Sequence, residues 1–189
     1  LQSLHRVRQA WVSTRVARIN TLRGLCREFG INAPLGAKRG MEELAARISD
    51  PDSGIPELIR CALERMMADV RLIEENIRTV ERELARSVSE SAVCERLRRI
   101  PGVGLLTATA LLGSVADIHR FRNSRRFASW LGLTPKEFSS GSIRRLGSIS
   151  KRGDKYIRML LVHGARAIVF TANAAKRGGR PLDAFRHWA

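Results

Sequence analysis

An all-α fold follows from three features of the 189-residue chain. Apolar residues recur at three- and four-residue steps, the spacing of a helix face. No stretch alternates apolar and polar residues with the period of two that a half-buried strand requires. Glycine, proline and serine clusters cut the chain into segments of helical length. The expected architecture is a pair of long antiparallel coiled-coil helices over residues 1–90. A compact basic helical domain comes next over 91–189, with a helix-hairpin-helix at about 96–114 and a serine loop at 139–153.

Residues 1–29 read as a helix because Leu4, Trp11, Ile19, Leu22, Cys26 and Phe29 keep to one face, and Gly30 is its stop signal. GINAPLGAKRG reads as a loop and MEELAARIS as a short helix. SDPDSGIPEL is a second break, with Pro56 in the first turn of the next helix. Ile59, Leu63, Met66, Val70, Ile73, Ile77, Val80 and Leu84 then fall at spacings 4-3-4-3-4-3-4. This heptad seam implies a helix of about 35 residues whose stripe needs a partner, either the first helix folded back or a second copy of the chain. Beyond Ser91 short apolar clusters alternate with glycine, serine and arginine, and helices are expected at 92–99, 105–114, 122–131 and 153–173.

Charge divides the chain as periodicity does. Residues 1–90 carry 15 Lys+Arg against 13 Asp+Glu, a net of +2, whereas residues 91–189 carry 19 against 5, a net of +14. A folded polycation of this kind points to a polyanion, nucleic acid before an anionic membrane. Charges interrupt every apolar run, so no membrane span is expected, and the basic N-terminus does not read as a signal peptide. Cys26, Cys61 and Cys94 are odd in number and far apart, which predicts free thiols in a reducing, cytoplasmic setting. His5, His119, His163 and His187 are scattered, and neither they nor the cysteines have metal-ligand spacing.

RLRRIPGVGLLTATALLGS, Arg96–Ser114, has the form of a helix-hairpin-helix. Gly102 and Gly104 permit a tight turn and close approach of a ligand, and the helix that starts after Gly104 offers unpaired N–H groups to a phosphate. Such a hairpin holds a nucleic-acid backbone without reading sequence. Further along, Phe121, Phe127, Trp130 and Leu131 have the spacing of core residues, which turns Arg120, Arg122, Arg125 and Arg126 outward.

SSGSIRRLGSISKRGDKYIR, Ser139–Arg158, is a flexible Gly/Ser loop among Arg144, Arg145, Lys151, Arg152, Lys155 and Arg158, leading through Asp154 into a helix. Its composition supports phosphate binding and does not by itself show catalysis.

The blocks PGVG-x2-TA, RF-x-SRRFASWLGLTP, SSG and RLG-x-ISKRGD-x-YIR-x-LLVHGARA together resemble the C-terminal half of insertion-sequence transposases of the DEDD class, the IS-one-ten/IS-eleven-eleven group. The N-terminal segment LQSLHRVRQAWVSTRVARINTLRGLCREFGI is similar to the part that comes after the nuclease-like domain in those enzymes. The resemblance implies a DNA recombinase with a serine nucleophile, guided by an element-encoded RNA and working as a dimer or tetramer through its coiled coil. It implies a ribonuclease-H-like domain whose four acids bind magnesium. No strand-borne set of four acids is present here, so Mg2+ is expected only through a domain outside this sequence, and the chain alone is expected to be inactive. The matching serine is Ser140, before Gly141, with Ser139 the second choice. Nucleic-acid contacts are expected from Gly102, Gly104, Thr107, Arg122, Arg125, Arg126, Arg144, Arg145, Lys151, Arg152, Lys155 and Arg158. The other reading is a helix-hairpin-helix binding module that holds DNA or RNA and performs no chemistry.

Overall fold

The computed structural model describes residues 1–34, 36–115, 117–179 and 181; His187 lies outside them. The described residues form seven α-helices and a two-stranded hairpin: α1 (Gln2–Glu28), α2 (Ala37–Ser49), α3 (Glu57–Arg86), α4 (Ala92–Arg98), α5 (Leu105–Ser114), α6 (Ser124–Trp130), β1 (Pro135–Glu137), β2 (Leu146–Ile149) and α7 (Lys155–Arg177). The expected all-α class stands, with the hairpin added to it. None of the described helices is long and apolar enough to cross a membrane. The chain divides into two compact units, Ser3–Glu83 and Leu84–Ala189 with Leu1–Gln2.

In the first unit α1 ends where Gly30 predicts. Gly30 takes φ +73, its N–H donates to Arg27 O, and the Ile31 N–H reaches back to Cys26 O. These two bonds make a Schellman motif, and buried Ile31 packs in the same cluster as buried Cys26. The loop expected at 30–40 is shorter than its glycines suggest, because α2 begins at Ala37. Pro56 precedes α3 by one residue, and its carbonyl accepts the first helical bonds from Ile59 and Arg60. α3 has 30 residues. Along it Leu63, Val70, Ile73, Ile77 and Leu84 are buried as the heptad reading requires, as is Met67 beside them.

The partner of this stripe is α1 of the same chain. Ile19, Leu22 and Cys26 share a buried cluster with Leu63, Met67 and Val70, joined by Leu44 and Ile48 of α2. Ion pairs Arg8–Glu81 at 2.7 Å and Arg15–Glu74 at 3.7 Å give the direction. As residue numbers rise on α1 they fall by the same step on α3, so the two helices run antiparallel.

In the second unit α4 and α5 are joined by a glycine turn. Ser91 caps α4 by accepting from Cys94 N–H, and Gly102 takes φ +81 in the turn. Val88, Cys94 and Ala108 form one core cluster; Ala110, Leu111, Leu131 and Ile157 form another. Phe121, Phe127 and Trp130 pack on each other with ring centroids 5.2–6.0 Å apart, as core-type spacing predicts. The helix expected at 122–131 is the shorter α6, capped by the Asn123 side chain on Arg126 N–H.

The hairpin is the departure from an all-helical reading. Pro135 pairs with Ile149 and Glu137 with Leu146, with a register shift between them, and Ser140 pairs with Ile143 beyond the strands. α7 then starts one turn later, after Asp154, whose carboxylate accepts from Tyr156 and Ile157 N–H groups.

Candidate nucleic-acid interface

The serine loop is the tip of the hairpin. Ser140 and Ile143 exchange two backbone hydrogen bonds, each 3.1 Å, leaving Gly141 and Ser142 as the two turn residues. Gly141 has φ +57, the left-handed value that the first turn residue of a type II′ hairpin requires. The segment read as a flexible loop is therefore strand-paired, and Ser140 stands exposed at its end.

Side chains alternate between the hairpin's two faces. Glu137, Arg144 and Leu146 line a cleft of about 300 Å³ together with Asn123, Arg125, Arg126 and Ser129 of the α6 segment, and with Thr134 and Pro135. On this face Ser139 Oγ donates to Glu137 Oε1 at 2.8 Å and accepts from Arg145 N–H at 3.2 Å. Lys136, Phe138 and Gly147 belong to the other face, where the Phe138 ring lies over Gly147 so closely that a Cβ there would meet it at 2.9 Å. Ser140 is two residues beyond Phe138 and shares that outer face.

The base of the hairpin is locked by close backbone approaches. Ser150 N–H donates to Thr134 O at 2.8 Å and Lys151 N–H to Gly132 O at 3.0 Å. A Cβ on Gly153 would fall 2.1 Å from Trp130 O. Lys151 itself takes φ +57, which costs a non-glycine residue roughly 1–3 kcal/mol and persists where the surroundings impose it.

Most of the cations named from sequence lie on the surface. Arg122, Arg125, Arg126, Arg144, Arg145, Lys151, Arg152 and Lys155 are exposed, and Arg125, Arg126 and Arg144 come together at the cleft. Arg158 has a different position. Its Nη1 donates to Leu131 O at 3.0 Å and Gly153 O at 3.1 Å, so this guanidinium fastens the hairpin's base to α7. Thr107 is 5% exposed inside α5 and presents no hydroxyl to a ligand; it sits on the helix face that packs inward with Ala108 and Leu111. Gly102 does make a close approach, but to Gly164 of α7 rather than to a ligand. Gly104 is exposed at the start of α5. Sequence reasoning passed over Glu137 and Phe138. The signal was the run KEFSSGS, whose odd and even positions separate onto two faces once the segment is read as a strand.

The second unit thus presents an exposed serine at a two-residue turn, a three-arginine cleft and a basic helical scaffold, and its sequence is similar to those of known transposases. Residues 94–178 match the transposase IS116/IS110/IS902 family. The matched span lies within the second unit. The chain is 39% identical over 170 residues to a probable family 20 transposase of Pseudomonas aeruginosa, covering 89% of this chain and 50% of that protein. It is 38% identical to the transposase for insertion sequence element IS1111A of Coxiella burnetii, covering 89% of this chain and 46% of that protein. A pilin gene-inverting protein of Moraxella bovis is 36% identical over 75 residues, covering 39% of this chain and 23% of that protein. The chain thus spans about half the length of the first two relatives. No solved structure matches it.

Proposed function

We propose that this chain acts in DNA transposition, holding the element's DNA and supplying Ser140 as the nucleophile that cleaves and rejoins a strand. The observation that carries this reading is the exposure of Ser140 at a two-residue turn flanked by Arg144 and Arg145, within the span matched by a transposase family. The Ser140 oxygen forms a bond to phosphorus, the bond from phosphorus to the DNA 3′-oxygen breaks, and the hydroxyl proton passes through solvent to that oxygen. The phosphoserine ester conserves the bond energy for rejoining. Exposed Arg145, on the outer face with Ser140, offsets charge on the non-bridging oxygens as the transition state forms, while Arg144 in the cleft and Lys151 and Arg152 at the hairpin's base hold the strand at positions away from the reacting phosphate.

Magnesium belongs to this reading through acids outside the chain. Among the described residues no group of three or more His, Cys, Asp or Glu stands where it could hold a metal ion. The chemistry assigned to this chain is therefore the nucleophile and the cationic surface. A guide RNA is part of the same reading, supported by the +14 charge of residues 91–189, and assembly into a dimer or tetramer joins it through the transposase match.

Two measurements test it. Binding of the chain to duplex DNA across a salt series is expected to give a log–log slope near −5, the value for about six phosphate contacts. In a full-length recombinase carrying this sequence, with magnesium and guide RNA, a covalent protein–DNA adduct is expected at Ser140. Ser140→Ala is expected to abolish it with DNA affinity nearly intact. An adduct at another residue overturns the assignment of Ser140. Strong salt-dependent binding with no adduct makes the domain a binding module.

A further inference from the structure

We propose that the outer face of the hairpin is a base-stacking surface, on which Phe138 receives an unpaired base of a DNA strand beside Ser140. This rests on the DNA-handling role proposed above and adds a recognition element to it.

Phe138 is 65% exposed and Ile143 59% exposed, and both lie at the tip of a hairpin otherwise rich in charge. The other aromatic rings of this region, Phe121, Phe127 and Trp130, are engaged with one another. Phe138 is thus the ring that the hairpin leaves open. Its N–H donates to Arg145 O at 2.8 Å, which sets Arg145 across from it, and Lys136 precedes it by two residues on the same face. The acid of this segment, Glu137, is turned to the cleft on the opposite face. The outer face therefore combines an open ring and an aliphatic neighbour with two cations. A base offers a π face to the ring, and its phosphates offer negative charge to Lys136 and Arg145. A second copy of this chain fits poorly there, because it would set one polycation against another.

The geometry also ties the ring to the chemistry. Ser140 is held two residues from Phe138 by its paired bonds to Ile143. A base seated on Phe138 brings its own backbone to the turn where Ser140 stands. Such seating requires an unstacked base, so the surface favours a gap, a mismatch or a strand end over intact duplex.

The test uses the 189-residue chain and a DNA duplex containing a short single-stranded gap with 2-aminopurine in it. Binding is expected to change the probe's emission as it moves onto the ring. Phe138→Ala is expected to weaken binding to gapped DNA about tenfold and to abolish the emission change, with the salt slope unaltered, since every cation remains. Phe138→Trp is expected to retain both signals, and Phe138→Leu to behave as Phe138→Ala. Phe170→Ala removes another exposed ring, on α7, and is expected to change neither. Unchanged affinity and emission in Phe138→Ala overturn the stacking surface and leave the DNA role standing. A sedimentation mass that drops on Phe138→Ala in the free chain overturns it in favour of a protein contact. Absence of DNA binding by the unaltered chain removes the proposed role and the stacking surface together.

Discussion

Gly102 and Gly164 meet backbone to backbone. A Cβ on Gly164 would fall 2.0 Å from Gly102 O, and one on Gly102 would fall 2.9 Å from Gly164 O. The turn between α4 and α5 therefore rests on the middle of α7 with no side chain between them. This approach joins the glycine turn to the helix that begins just after the serine hairpin.

Gly164→Ala is accordingly expected to destabilise the second unit by about 3 kcal/mol, since neither backbone can yield as a flexible side chain would. Denaturant unfolding measures it. Gly24→Ala is the control: Gly24 is exposed within α1 with nothing near its Cβ position. It is expected to stabilise the first unit by about 0.5–1 kcal/mol through helix propensity. Equal effects from the two substitutions would contradict the packing described.

Arg60 fastens the end of α2 to the start of α3. It is 9% exposed and donates to Ile48 O at 2.8 Å, to Asp50 O, and to Pro51 O and Ile55 O at 3.1 Å. Arg60→Met keeps the apolar stem and strands these carbonyls, at an expected cost of about 3 kcal/mol in the first unit. Arg60→Lys is expected to recover little, because one ammonium cannot fork to four acceptors as a planar guanidinium does. Full recovery by lysine would show that charge alone matters there.

His5 gives the first unit a pH dependence of known sign. Burial first, then the neighbouring Arg8 cation, holds its pKa below the ordinary 6.5. Below pH 6.5 the unfolded chain binds a proton that the folded chain refuses, so stability falls as pH drops and levels off below the folded-state value. Denaturation midpoints between about pH 7.5 and 5 are expected to decline, and His5→Gln is expected to flatten the decline. A stability that rises on acidification through this window would contradict the burial of His5.

The arginine cleft is expected to account for a definite part of the salt dependence of DNA binding. Replacing Arg125, Arg126 and Arg144 by glutamine should reduce the steepness of the log–log slope by about 0.9 for each phosphate no longer neutralised. The same measurement on Arg158→Gln is expected to show lower stability with little change in slope, because its Nη1 is spent on Leu131 O and Gly153 O. A large slope change from Arg158 and none from the cleft would reverse the assignment.

The helices were legible because each carries its own signal. The α3 stripe is continuous over almost four heptads, and Gly30 closes α1 with the left-handed turn that glycine permits. The hairpin was not legible. β1 and β2 are three and four residues long, and of their residues Ile149 alone is even partly buried. An element that buries so little leaves no alternating apolar trace. The burial of Thr107 was not legible for a related reason: its motif was read as a binding hairpin, while its direction within α5 depends on the neighbours against which α5 packs. Gly102 was read as a site where a ligand comes close, and only the packed fold showed that Gly164 is the group set against it.

The sequence alone determined the helical class, the basic second half, the heptad stripe of α3 and the family resemblance, since these rest on local periodicity, composition and linear motif. Tertiary structure alone decided that the serine segment is a type II′ hairpin. It also decided that Ser139 and Ser140 lie on opposite faces of it, and that Arg125, Arg126 and Arg144 share one cleft while Arg158 does not. Those facts depend on which backbone groups find each other across the chain, and pairing across a turn or against a distant helix leaves no periodic mark in the order of residues.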